Sequence, residues 1–147
     1  MELLVLLIVA FILGLVYSVY DRKETLRDIS IESPLSTELA RGGAIPILLE
    51  ENNWVFRENN FYFEAMFYNR ISKTIVSNSP TVVIEVSPKK DALGSVIRFE
   101  VTNWTDKQQK ILFFTMRTVL HGSKIKSLKR KLTRVFLTNA SELMKYN

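Results

Sequence analysis

Residues 3–20 read LLVLLIVAFILGLVYSVY, an uncharged run in which only Gly14 and Ser18 interrupt the apolar character. At ~1.5 Å per residue a helix of this length reaches about 27 Å, close to the ~30 Å hydrocarbon core of a bilayer. Lipid offers backbone amides no partners, so a run of this kind must be helical. Tyr17 and Tyr20 stand at its end, where amphipathic rings favour the interface, and Asp21, Arg22 and Lys23 then stop it. The expectation is an uncleaved transmembrane anchor with a juxtamembrane extension over residues 1–29. Tyr17, Tyr20, Arg22 and Lys23 would sit at the membrane interface. A secretory signal peptide would open on a positive segment, whereas the only early side-chain charge is Glu2. A core helix of a soluble protein would present a polar face, which this run lacks. Arg22, Lys23 and Arg27 follow the run and no basic side chain precedes it, so the positive-inside rule puts the C-terminal domain on the cytoplasmic or equivalent side.

Outward from the anchor, residues 30–45 read as a linker with a Ser33-Pro34 breaker and a flexible turn at Arg41-Gly42-Gly43-Ala44. Residues 46–147 then form a small basic domain. The clearest β signal lies at Thr81–Ser87 and Ser95–Thr102, both rich in β-branched residues. A loop opening on Pro88 and closing on Gly94 joins them as an antiparallel hairpin. Such a sheet needs further strands, to come from residues 45–50 or 54–63. Residues 52–76 fit a hairpin around Asn59-Asn60 or a helix from Phe61, with helix formers such as Glu64, Ala65 and Met66 tilting the choice to helix. Thr105 reads as the N-cap of a helix over residues 107–120, ended by His121-Gly122, and Ser123 as the cap of a second helix over 124–137. A strand over residues 135–138 is the alternative for the end of that helix. The fold class is therefore α+β, with an N-terminal transmembrane helix, a small antiparallel sheet and C-terminal helices.

The 147 residues carry a net charge of +5, unevenly spread. Residues 21–106 hold 13 acids against 10 bases, whereas residues 107–147 hold 10 bases and the single acid Glu142. The second C-terminal helix concentrates this excess. Ile125, Leu128, Leu132, Val135 and Phe136 make one apolar stripe, and Lys124, Lys126, Lys129, Arg130, Lys131 and Arg134 occupy the rest without an acid among them. Like charges four apart, such as Lys126 and Arg130, repel and call for a compensating anion. Those six residues are the candidate contacts for anionic lipid, nucleic acid or a partner protein. An alternative is that the basic end packs against the acidic middle of the same chain.

Cysteine is absent, which removes disulfides, thiolate metal sites and cysteine nucleophiles. His121 is the sole histidine, and the carboxylates show no metal-ligand or hydrolase spacing. No cofactor, metal or small-molecule substrate is indicated. The expected function is a non-enzymatic structural subunit of a larger membrane-associated assembly. An envelope machine, an organellar complex or a membrane-containing virion would fit. The alternative is a membrane-tethered nucleic-acid binder, although no helix-turn-helix or RNA-recognition signature accompanies the basic helix.

Overall fold

The computed structural model describes residues 1–90, 93–111 and 114–143, with side chains to residue 137. Helix α1 (Glu2–Leu26) runs the length of the apolar segment and one turn beyond it. Strand β1 (Ile29–Ser33) follows. A short α2 (Thr37–Leu39), capped by the Ser36 hydroxyl, passes through a wide turn at Ala40–Ala44 into α3 (Ile45–Glu51), with Pro46 in its first turn. Strands β2 (Trp54–Glu58), β3 (Tyr62–Asn69), β4 (Thr74–Ile75), β5 (Thr81–Pro88) and β6 (Ser95–Asn103) come next. They are followed by β7 (Asp106–Ile111), β8 (Phe114–Val119) and α4 (Gly122–Leu143).

The main sheet is antiparallel with the order β1-β6-β5-β3-β2, and β4 adds to β3. Alternation along the strands puts Phe63, Ala65, Val82, Ile84, Ile97 and Phe99 on one face, where Ile45 and Leu49 of α3 and Ile125, Leu128, Leu132 and Phe136 of α4 complete the core. The opposite face carries Tyr62, Glu64, Val83, Glu85, Arg98 and Glu100, and among the described residues no helix covers it. Gly94 turns the β5–β6 connection at φ +125°, where a Cβ would collide with the Ser33 carbonyl oxygen, so only glycine fits.

The expected α+β class and the β5–β6 hairpin hold. The expectations at residues 107–120, at His121 and at residues 30–45, and the tilt to helix within residues 52–76, do not. Residues 107–120 form the hairpin β7–β8 instead of a helix, so one C-terminal helix exists where two were expected. Phe114, Met116 and Thr118 are the less exposed positions of β8 at period two, and Phe114 and Met116 meet Phe11 and Gly14 of α1, a surface that favours a strand over a solvated helix. His121, expected to end a helix, instead takes a left-handed φ of +58° in the turn between β8 and α4. Residues 54–69 are the hairpin β2–β3, with Trp54 paired to Phe67 and Glu58 to Phe63, and not a helix. The further strands come from residues 54–63, one of the two expected sources, as β2 and the start of β3, whereas residues 45–50 are helix. Within residues 30–45, expected as linker, β1 joins the sheet edge by pairing with β6. Helix α4 continues through residues 135–138, where a strand was the alternative.

Candidate membrane interface and basic helix

Helix α1 is long and apolar enough to cross a membrane, and most of its apolar side chains are bare. Leu3 and Tyr20, at the two ends of the run, are 72% and 65% exposed. The sides turned inward are few: Phe11, Gly14, Ser18 and Thr25, at helical spacing. Two elements use that stripe. The hairpin β7–β8 lies along it, and α4 crosses its last turn.

Three contacts fix how the hairpin lies. At its base Arg22 Nη1 donates to Asp106 Oδ2 at 3.1 Å. Midway Ser18 Oγ donates to the Arg117 carbonyl at 2.7 Å. Toward its tip the rings of Phe11 and Phe114 meet edge to face with centroids 4.2 Å apart. A shallow groove between α1 and β8 is lined by Leu15, Val19, Arg22, Lys23, Thr115 and Arg117. Tyr17 and Tyr20, the expected interfacial rings, stay exposed on α1, as does Lys23, while Arg22 is half-buried in its ion pair.

The C-terminal end of α1 is closed from a distance. A helix leaves its last carbonyls without intrahelical partners. Here Lys129, about two turns into α4, reaches across and donates from Nζ to the carbonyls of Thr25 at 2.7 Å, Glu24 at 3.2 Å, and Arg27. Its ammonium also lies 5.5 Å from the centroid of the Phe99 ring. Only 7% of Lys129 is exposed. Burial lowers its pKa from the ordinary 10.5; Glu24 works against that shift, Arg27 adds to it, and Asp28 opposes it. A lysine at this place puts positive charge on the negative end of the α1 dipole.

The six expected contact residues therefore divide. Lys129 is consumed in the cap. Lys126 pairs with Asp21 of α1, and Lys131 donates to the Asn52 side chain. Lys124 lies over the Phe67 ring at 5.4 Å from its centroid. Arg130 and Arg134 point outward, Arg130 bonding only to its own helix at the Lys126 carbonyl among the described residues. Exposed positive charge remains at Lys124, Arg130, Lys131 and Arg134. The expectation of an acidic partner within the chain is met at one point, Asp21.

Sequence reasoning missed the cap, although the signal was present. On a wheel of about 100° per residue Lys129 falls only about 20° beyond Phe136 and about 40° from Ile125, at the edge of the apolar stripe. It equally missed Asp106 and Asn52 as partners, which no local pattern advertises. No family model matches the chain, and no curated protein or solved structure shows significant similarity to it.

Proposed function

We propose that the chain is a non-enzymatic, membrane-anchored structural subunit whose α1 crosses the bilayer and whose sheet-and-helix domain makes protein contacts in a larger assembly. The observation that carries this is the joint between anchor and domain. A tether that only localises an activity works through a loose linker. Here α1 enters the domain without one: its last carbonyls are held by Lys129 of α4, Asp21 pairs with Lys126, and β1 begins three residues after the helix ends. An anchor set rigidly into a domain fixes the orientation of that domain against the membrane, as assembly requires and simple tethering does not. The positive flank of α1 favours the cytoplasmic or equivalent side for the domain.

Lys124, Arg130, Lys131 and Arg134 supply the candidate contact face, for anionic headgroups or an acidic partner. Each basic side chain near an anionic leaflet contributes about 1 kcal/mol. Gentle detergent extraction of the full chain, followed by sizing and identification of what co-migrates, tests the proposal. A large particle with defined protein partners is expected. A lone monomer refutes it, and co-migrating nucleic acid without protein favours the tethered nucleic-acid binder instead.

A further inference from the structure

The hairpin β7–β8 lies beside the part of α1 that the membrane would occupy. From the Asp106–Arg22 pair to the Phe114–Phe11 contact it follows eleven residues of the helix, about 17 Å at ~1.5 Å per residue. Five strand steps from Asp106 to Ile111, at ~3.4 Å each, cover the same length, so strand and helix run side by side. If residues 3–20 span the bilayer, its midplane falls between Phe11 and Ile12, level with the described end of β8.

That arrangement cannot exist in lipid. Lys107, Gln108, Gln109 and Lys110 are exposed along β7, and Arg117 is exposed on β8. Strand β7 pairs with β8 alone, so its outer edge leaves backbone amides and carbonyls open among the described residues. Hydrocarbon admits neither an open strand edge nor that row of polar side chains. A hairpin of two strands is also barely stable by itself and depends on the surface it lies on. Its own base is closed by Leu120 N donating to the Thr105 carbonyl at 2.8 Å, and among the described residues it forms a sheet separate from the main one.

We propose that β7–β8 is a strap that covers the inward stripe of α1 only while that helix is outside the bilayer, and that insertion of α1 displaces it. The docked hairpin and the spanning helix are alternative states of one chain, competing for Phe11, Gly14 and Ser18. The displaced hairpin brings Lys107, Lys110 and Arg117 to the headgroup side of the interface, where anionic lipid receives them. The inference rests on α1 being a membrane span, and the test separates the two.

The chain has no cysteine, so introduced thiols are unique. A Cβ at residue 14 would lie 3.7 Å from Met116 Sδ, an ordinary contact, which makes Gly14→Cys with Met116→Cys a reporter of docking. Val19→Cys with Thr115→Cys, exposed positions beside the same groove, is the second reporter should the first disturb folding. Full-length chain is synthesised in a cell-free system with or without vesicles of equal parts phosphatidylcholine and phosphatidylglycerol, then treated with a short thiol-reactive crosslinker. Intramolecular bridging without vesicles, and its loss in the carbonate-resistant fraction with vesicles, is the expected result. Equal bridging in the carbonate-resistant fraction overturns the strap while leaving the span standing. Failure of both pairs to bridge without vesicles overturns the docked state. Absence of any carbonate-resistant chain removes the span itself and the strap with it.

Discussion

Replacing Lys129 with methionine keeps the length of the side chain and removes its three donors. The carbonyls of Glu24, Thr25 and Arg27 then lose their partner at the end of α1. A buried carbonyl left without a donor costs roughly 1–3 kcal/mol, so the three together lose about 3–9 kcal/mol. Against this, methionine avoids the several kcal/mol spent on desolvating an ammonium. The balance is a loss of about 3 kcal/mol, and for a chain of this size roughly 6–12 °C in Tm. Thermal melting of the full chain in mild detergent, followed by circular dichroism, measures it. Arg130→Met on the outer side of α4 is the control and should stay within about 0.5 kcal/mol. A second readout is specific to the cap: amide exchange at Arg27, which donates to the Lys23 carbonyl in the last turn, should quicken in the methionine variant. The pH dependence has a definite sign. The folded pKa of Lys129 lies below 10.5, so between the two values the unfolded chain binds the proton more tightly. Stability of the native chain relative to the methionine variant is therefore flat at lower pH and rises as the pH climbs through that window toward 10.5. A methionine variant as stable as the native chain, with unchanged exchange at Arg27, would refute the capping argument.

Other substitutions probe the remaining layers. Phe136→Ala empties a fully buried place between α4 and the sheet and should cost about 3–5 kcal/mol in equilibrium unfolding. Arg22→Met leaves Asp106 without its ion-pair partner; for this part-exposed pair a loss of about 0.5–1 kcal/mol is expected, and the β7–β8 amides should exchange faster while those of β5 and β6 keep their protection. Arg130→Gln with Arg134→Gln removes two outward charges and no described contact between elements. It should leave Tm unchanged and weaken binding to anionic vesicles about thirtyfold, from about 1 kcal/mol per charge; unchanged vesicle affinity would remove α4 from the membrane contact.

What could be read from the residues depended on how many surfaces each segment meets. Residues 3–20 are apolar almost without interruption, so their uniform composition announces a helix directly, although Phe11, Gly14 and Ser18 turn to β8. Strands β5 and β6 are central, and β6 alternates Ile97, Phe99 and Val101 with Arg98 and Glu100 across one covered and one open face. Strand β3 hides the same alternation. Phe63, Ala65 and Phe67 turn inward, but Tyr62, Met66 and Tyr68 occupy the open face, and a strand apolar on both sides loses its period. Hairpin β7–β8 fails for a different reason. Its pattern makes sense only against α1, a partner some 90 residues earlier, and the charges of Lys107 and Lys110 imitate a solvated helix. The apolar stripe of α4 was legible because an amphipathic helix carries its own record of where the core lies. Lys129 was not, because a lysine beside an apolar stripe is ordinarily one that reaches past it to water.

The joint at Lys129 also limits what the rest of the molecule can do. A helix crossing a bilayer by itself leaves a domain free to turn about the flexible residues that follow. With α1 capped by α4, and with Asp21 held by Lys126, the outward side of α4 keeps a set angle to the axis of the anchor. Charge presented at a fixed angle and a fixed height above a membrane acts as an oriented contact rather than a diffuse attraction. The cost is a buried ammonium, tolerable only because three carbonyls that needed donors accept from it. A chain that needed location alone could have done without that expense. In the proposed membrane-anchored subunit, that fixed orientation is what links α1, the cap and the exposed cations of α4.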